Sequence, residues 1–291
     1  MQIVLHIGAH FTNEEKLINS LAKNTELLEA QGVSIAPLTF YNQKIRSFVN
    51  HPDEKLTPLG IRKELLADLT QEKSPDRVVM SNTKIFGIPK LAVRNNLIYP
   101  NAGTRLETFA KIFHSEDIEV FFAIRNPATF LPALMNGTPV RTVDELTDGS
   151  LALSLRWSEL IMRVRNILPN VPVTVWCNED TPLIWEAILR ELAGFDPTVP
   201  ILGGLDLLED IMSSQGLSRF KDYLNEHPGM SEIQKRRVIA AFLEKFGLED
   251  ELEEELDLQG WTEELVQSLT EAYDEDVFLI ERIPGVTLIT P

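Results

Sequence analysis

Short runs of β-branched and aromatic residues alternate with longer amphipathic segments along much of the chain. This alternation predicts βα units arranged around a parallel sheet. Residues 118–124 and 172–177 are almost entirely apolar, which is typical of strands covered on both faces. The predicted strands are residues 3–7, 33–36, 77–80, 118–124, 172–177 and 286–289. We therefore predict an α/β fold of three layers (α/β/α) with a mainly parallel sheet, in which residues 3–7 and 118–124 are inner strands.

The segments between the predicted strands carry apolar residues at helical spacing. Helices are predicted over residues 14–30, 104–113 and 151–168. Another begins at Thr181-Pro182, with Thr181 as the cap and Pro182 in the first turn. From residue 205 to residue 273 the pattern is only helical. We therefore predict a helical subdomain over residues 205–275, inserted before the last strand.

The chain has no internal repeat and no low-complexity linker. This favours a single elaborated domain over residues 1–291. No apolar run approaches the roughly 20 residues that a membrane span needs, so no membrane partner is expected. No Lys or Arg precedes the short apolar run at the N-terminus, and Cys177 is the one cysteine. These features favour a reducing, cytoplasmic location, and the scattered histidines predict no metal site.

The acidity of the chain is local. The stretch between Glu249 and Asp276 has 13 acidic residues and no Lys or Arg, so it contributes −13 to the net charge of −17. The rest of the chain carries only about −4. Trp261, Leu265 and Leu269 step by four, so we interpret this stretch as a solvated helical face. The total charge argues against a nucleic-acid partner, whereas the acidic face is a possible surface for a protein partner.

The end of the first predicted strand carries the most informative motif. Residues 6–15 read His-Ile-Gly-Ala-His-Phe-Thr-Asn-Glu-Glu, in which a strand turns through Gly8 into a helix. Backbone N–H groups converge at such a turn, and the helix N-terminus adds positive partial charge, so the turn suits a phosphate. If an anionic cofactor binds, we expect Gly8, Ala9, Thr12 and Asn13 to hold it.

This segment resembles the first loop of the P-loop sulfotransferases and their bacterial relatives, His-x-Gly-x-x-Lys-[Thr/Ser]-Gly-[Thr/Ser]-[Thr/Ser]. His6, Gly8 and Thr12 match that pattern. The departures are Phe11 at the lysine, Asn13 at the second glycine, and Glu14 and Glu15 at the hydroxyl positions. Each close like-charge pair costs on the order of a few kcal/mol at an effective dielectric of about 20. We therefore expect poor anion binding, and the alternative is an ordinary strand-to-helix turn without a ligand, whose first-turn acids stabilise the helix.

A second match follows the predicted strand 118–124. Arg125-Asn126-Pro127 resembles the Arg-[Asn/Asp]-Pro motif of sulfotransferases, although Ala133 replaces the serine expected eight residues after the arginine. The resemblance implies that Arg125 contacts the 3′-phosphate of the sulfonate donor PAPS. The alternative is that Arg125 pairs with a carboxylate or caps a helix. Weaker matches at residues 81–84 and 173–180 extend the resemblance over residues 3–190 and the last strand.

Two residues are candidates for catalysis. His10 could act as general base for an acceptor hydroxyl, because imidazole titrates near neutrality. Lys84, just past the end of a predicted strand, could replace the lysine missing from the first loop. The alternatives are that His10 is an ordinary turn residue and Lys84 a solvated surface lysine.

These residues leave three functions open. The first is a sulfotransferase-like protein whose sulfonate transfer is weakened or lost. The second is an active sulfotransferase for a small-molecule acceptor, which uses PAPS through Arg125 and a substitute cation such as Lys84. The third is a non-catalytic binding or regulatory protein that uses its acidic face. If the chain is an enzyme, the resemblance implies a sulfotransferase that releases PAP, the desulfonated donor.

Overall fold

The computed structural model describes residues 1–41, 43–50, 57–70, 75–252, 258 and 260–291. Its centre is a six-stranded sheet in which every neighbouring pair of strands is parallel. The strands of this sheet are β1 (Gln2–His6), β2 (Val33–Ile35), β3 (Arg77–Ser81), β6 (Asp117–Ile124), β7 (Val173–Cys177) and β8 (Val286–Ile289), while β4 (Val93–Arg94) and β5 (Leu97–Ile98) form a separate antiparallel pair. The order β2-β3-β1-β6-β7-β8 places β1 and β6 at the centre. The predicted α/β class, the parallel sheet and the two inner strands are confirmed.

Helices cover both faces of the sheet. They are α1 (Glu14–Ala22), α2 (Thr25–Ala30), α3 (Gln43–Asn50), α4 (Pro58–Thr70), α5 (Ala102–Ile112), α6 (Pro127–Asn136), α7 (Val143–Thr147), α8 (Trp157–Ile167), α9 (Thr181–Ala193), α10 (Asp206–Ile211), α11 (Ser214–Glu226), α12 (Glu232–Phe246), α13 (Glu249–Leu252) and α14 (Glu263–Glu281). No helix in the described ranges combines the length and the apolar character needed to cross a membrane.

Two apolar cores lie on opposite faces of the sheet, because successive strand residues point to opposite sides. Ile3 and Leu5 of β1 enter the larger core, whereas Val4 enters the smaller one. Helices α3–α6, α8 and α14 contribute to the larger core, and α1, α2 and α9–α12 to the smaller. This arrangement is consistent with the three predicted layers.

Some predicted element boundaries are wrong. The helix expected over residues 14–30 is two helices, α1 and α2. The chain breaks at Asn24, because the Asn24 side-chain amide donates hydrogen bonds to the backbone carbonyls of Leu21 and Leu202. The helix expected over residues 151–168 begins only at Trp157. The β4–β5 hairpin was not predicted, although Asn95 and Asn96 at its turn have φ of 53° and 58°, and asparagine suits that conformation.

The described helices of the segment predicted as one helical subdomain, residues 205–275, pack on both faces of the sheet. Helices α10–α12 pack on the smaller core, while Tyr273 and Ile280 of α14 are buried in the larger core, where α14 contacts α6 and α8. Most described acids of α14 are exposed, as the predicted solvated face requires. Asp276 is the exception, since it is buried and accepts hydrogen bonds from the first turn of α8.

Candidate functional site

The topology opens a crevice at the centre of the sheet. Strands β1 and β6 are neighbours, but the helices that follow them pack on opposite faces: α1 buries Leu17 in the smaller core, and α6 buries Phe130 in the larger. In open α/β sheets, ligands bind at the carboxyl ends of strands whose connections diverge in this way. The loop after β1 and Arg125 after β6 therefore meet at the place where such a fold binds ligands.

The loop after β1 is the predicted strand-to-helix turn. The Ile7 and Ala9 amides donate to the carbonyls of Phe121 and Ala123 at 3.0 and 2.9 Å, so the loop follows β6 before it turns away. Gly8 has a φ of 38°, and a Cβ added there would lie 3.3 Å from His6 Nε2. The positive φ and the tight surroundings favour glycine at this position.

The loop enters α1 without a side-chain cap. Asn13 occupies the position before the helix with a φ of 60°, and its side chain makes no capping hydrogen bond. Thr12 turns inward, where its hydroxyl donates to the Ala9 carbonyl at 2.8 Å. Of the four loop residues predicted to hold an anion, Gly8, Ala9 and Thr12 are buried, and only Asn13 is exposed.

Phe11 is fixed in a conformation that aromatic residues rarely adopt. Its φ is 63°, the residue is 38% exposed, and its ring lies against Gly137, where a Cβ would come 2.3 Å from the ring. The position at which the resemblance expects an ammonium group thus carries a ring held between α6 and the cleft. Beside it, the Thr83 hydroxyl donates to the Glu14 carboxylate at 3.3 Å.

Arg125 joins the loop to the end of β6. The residue is 6% exposed, its Nη1 donates to the Phe11 carbonyl at 2.7 Å, and its Nε donates to the Thr129 hydroxyl at 3.1 Å. The Arg125 carbonyl accepts a hydrogen bond from the Trp157 indole N–H at 2.8 Å. Arg125 also makes a further interaction with the protein. Arg125 lies where it was predicted, but its guanidinium is already engaged with the protein.

His10 is buried and both of its ring nitrogens have partners. Nδ1 accepts from the Tyr99 hydroxyl at 2.5 Å, and Nε2 donates to the Gly87 carbonyl at 3.1 Å. Burial lowers the pKa of His10 from 6.5 to about 4, with a smaller contribution from the charge of Lys84. In this conformation His10 anchors the loop, so the geometry gives no support to the predicted general base. Tyr99, 89 residues away in sequence, was not found by sequence reasoning.

A cavity of about 660 Å³ lies at the carboxyl end of the sheet, next to this loop. Among the described residues, its lining includes Phe11, Asn13 and Arg125 but neither His10 nor Lys84. We call it the strand-end cleft. The structure therefore brings two of the predicted cofactor-binding residues, Asn13 and Arg125, together in one cleft and leaves both predicted catalytic residues outside its lining.

Glu179 is one of the two described acids that line the strand-end cleft, the other being Glu251, and sequence reasoning did not single it out as a site residue. Its carboxylate accepts from the Asn126 amide at 2.8 Å and from the Tyr273 hydroxyl at 3.0 Å. Glu179 is exposed as a residue, but desolvation of its carboxyl group raises the pKa, while these hydrogen bonds and the nearby Arg125 charge act in the opposite direction.

Two residues of the cleft lining each carry a buried oxygen atom without a hydrogen-bond partner, namely Asn178 Oδ1 and Thr181 Oγ1. Thr181 was predicted to cap α9. Instead Asp180 occupies the cap position and Thr181 is the first helical residue. The Thr181 hydroxyl therefore caps no backbone N–H and makes no hydrogen bond. Such buried unsatisfied groups are few in native proteins and are worth explaining individually.

The cleft combines hydrogen-bonding groups with apolar walls, as small-molecule sites do. Within the described ranges, no group of three His, Cys, Asp or Glu side chains is placed to hold a metal ion. No protein-family model matches the chain, and no curated protein matches its sequence.

Proposed function

We propose that this chain is a relative of the P-loop sulfotransferases in which sulfonate transfer is weakened or lost, and that it binds a ligand in the strand-end cleft. The observation that carries this proposal is the contact between Arg125 and the carbonyl of Phe11. The residue that would attract the donor's phosphate is turned toward a loop whose own cation position is occupied by an aromatic ring.

Transfer of a phosphoryl or sulfonyl group depends mainly on positioning and on positive charge around the transferred group. The first turn of α1 carries Glu14 and Glu15 instead, and Glu179 lines the cleft. Among the lining residues that the structure describes, Arg125 is the only cation. The local charge therefore opposes an anionic donor.

An active PAPS-dependent enzyme is a second candidate, and the position of Lys84 favours it. Lys84 lies near enough to His10 for its charge to contribute to the lowered pKa of that imidazole. A lysine beside the first loop, although supplied by the segment after β3, fits the substitute cation that this function requires. Sulfonate transfer from PAPS by the unaltered chain would favour this candidate.

Restoring the loop should restore affinity for PAP. We expect the quadruple variant Phe11→Lys, Asn13→Gly, Glu14→Thr and Glu15→Thr to bind PAP at least tenfold more tightly than the parent chain, because one cation is gained and two anions are removed. Glycine suits position 13, where φ is positive. Isothermal titration calorimetry with PAP measures the difference.

The matched comparison uses Arg125→Ala in both the parent and the restored chain. In the restored chain we expect Arg125→Ala to remove most of the gained affinity, since a hydrogen bond to a charged group contributes about 1.5–3 kcal/mol. Thermal unfolding of all four proteins verifies that each is folded. A restored loop that binds PAP no better than the parent would show that the cleft is not a former donor site.

A further inference from the structure

Strand β8 forms one edge of the central sheet, and its outer side is open. Among the described residues, β8 pairs only with β7. None of the four residues of β8 is buried, whereas four of the five residues of β7 are. The strand at the other edge, β2, has only three residues, and so short an edge offers little backbone for pairing. The chain therefore presents one strand edge on which another strand can form hydrogen bonds.

One hydrogen bond determines which peptide groups of β8 face outward. The Val173 amide donates to the Gly285 carbonyl at 3.2 Å, so the Gly285 carbonyl faces β7. Because peptide groups alternate in direction along a strand, Leu288 directs both its N–H and its C=O away from β7. The Val286 carbonyl and the Thr290 amide face the same way. These four groups have no hydrogen-bond partner within the part of the chain that the structure describes.

The remaining outward groups of this edge are already satisfied within the chain. The Val286 amide donates to the Ile283 carbonyl at 3.1 Å, and the Thr290 carbonyl accepts from Arg236 Nη1 at 2.9 Å. In an antiparallel pair of β8 strands centred on Leu288, the two Leu288 residues exchange their N–H and C=O groups. The Thr290 amide of each copy donates to the Val286 carbonyl of the other. Every free group of the edge then has a partner, so the edge is complementary to itself.

The side chains around β8 also favour pairing. Residues 286–290 are Val-Thr-Leu-Ile-Thr, without the charges or proline by which exposed edge strands usually avoid it. Helix α14 contacts β8 from one face of the sheet, and Arg236 of α12 reaches it from the other. Six large apolar residues of the described chain are more than half exposed, and three of them lie on these two helices: Ile233 (62%), Phe278 (61%) and Leu279 (52%). A two-fold axis perpendicular to the sheet places each helix next to its own copy, where such side chains can be covered.

We propose that β8 pairs antiparallel with β8 of a second copy of this chain, so that two six-stranded sheets join into one sheet of twelve strands. The two-fold axis passes beside Leu288. Pairing of identical patches about a two-fold axis closes the assembly at a dimer. This inference goes beyond the proposed function, since the strand-end cleft lies at β1 and β6 in the middle of the sheet. Each can fail without the other.

Leu288→Pro tests the pairing, with Leu288→Ala as its matched control. Proline removes the outward N–H and leaves the hydrogen bonds to β7 in place, because Leu288 does not donate to β7. Both variants lose the leucine side chain, so thermal unfolding should show similar stabilities. In sedimentation equilibrium of the full chain we expect the parent to dimerise. The dimer Kd of Leu288→Pro should exceed that of Leu288→Ala by about tenfold or more, since two hydrogen bonds are lost per dimer. Equal Kd values in the two variants overturn the proposal.

A second variant and a second measurement do not depend on proline. Thr287 is exposed, so Thr287→Lys should preserve the fold, but it places a charge directly opposite Ile289 of the second copy. We expect this charge to weaken the dimer about tenfold. In the parent, hydrogen exchange at the Leu288 and Thr290 amides should slow as the protein concentration rises. A parent chain that stays monomeric, or a dimer that forms without slower exchange at these two amides, overturns the proposal.

Discussion

Replacing Asp276 with alanine should lower the free energy of unfolding by about 3–5 kcal/mol. The carboxylate of Asp276 lies in α14, and its Oδ2 accepts from the amides of Trp157 and Ser158 at 2.6 and 3.1 Å. Its Oδ1 also accepts from the Ser158 hydroxyl. Alanine would leave three buried donors of the first turn of α8 without a partner, and each such donor costs about 1–3 kcal/mol.

Asp274→Ala is the matched control for this variant. It removes the same charge from the same helix two residues away, but Asp274 is exposed, so we expect a change within about 0.5 kcal/mol. Urea unfolding followed by circular dichroism measures both variants. Equal losses in the two variants would mean that net charge, and not the contact with α8, determines the effect.

Acidification should destabilise the folded chain well before most carboxylates are protonated. Burial lowers the pKa of both His6 and His10 from 6.5 to about 4. The folded state therefore favours the neutral imidazoles, and stability that is full above pH 6.5 is lost as the pH falls toward 4. A shift of this size contributes about 3 kcal/mol for each histidine. Glu179, whose pKa is raised, acts in the opposite direction.

The slope of unfolding free energy against pH tests this linkage. We expect His6→Asn to reduce the slope between pH 6.5 and 5 by about half, because one of the two buried protonation sites is removed. His10→Asn should act similarly, whereas His227→Asn, at an exposed position, should leave the slope unchanged. A slope that survives in the double variant His6→Asn and His10→Asn would assign the acid sensitivity to other groups.

The sheet was predictable because its signal is local. Each of the six predicted strands agrees with the structure to within a residue at either end, since β-branched residues cluster where both faces are buried. The break at Asn24 was not predictable, because it depends on a contact with Leu202, 178 residues away. Asp276 was counted with the solvated acids for the same reason: its partners are 119 and 118 residues away in α8.

The site was predictable only in part. The motifs located the two strand ends and placed Arg125 and Asn13, because loop position follows from the order of strand and helix. They did not reveal that Arg125 donates to Phe11 or that Tyr99 holds His10, since no sequence pattern encodes such long-range pairs. In the sequence, Glu179 stood out only as part of the family match over residues 173–180. The unsatisfied Thr181 hydroxyl could be recognised only after the structure showed where α9 begins.

A crystal of the parent chain soaked in sulfate tests the central claim most directly, because the anion reports the state of the first loop without any assumption about a cofactor. With Glu14 and Glu15 in the first turn of α1 and Phe11 in place of a lysine, we expect no ordered sulfate on the loop. A sulfate ordered against the amides of Thr12 and Asn13, within reach of Arg125, would contradict the loss of donor binding.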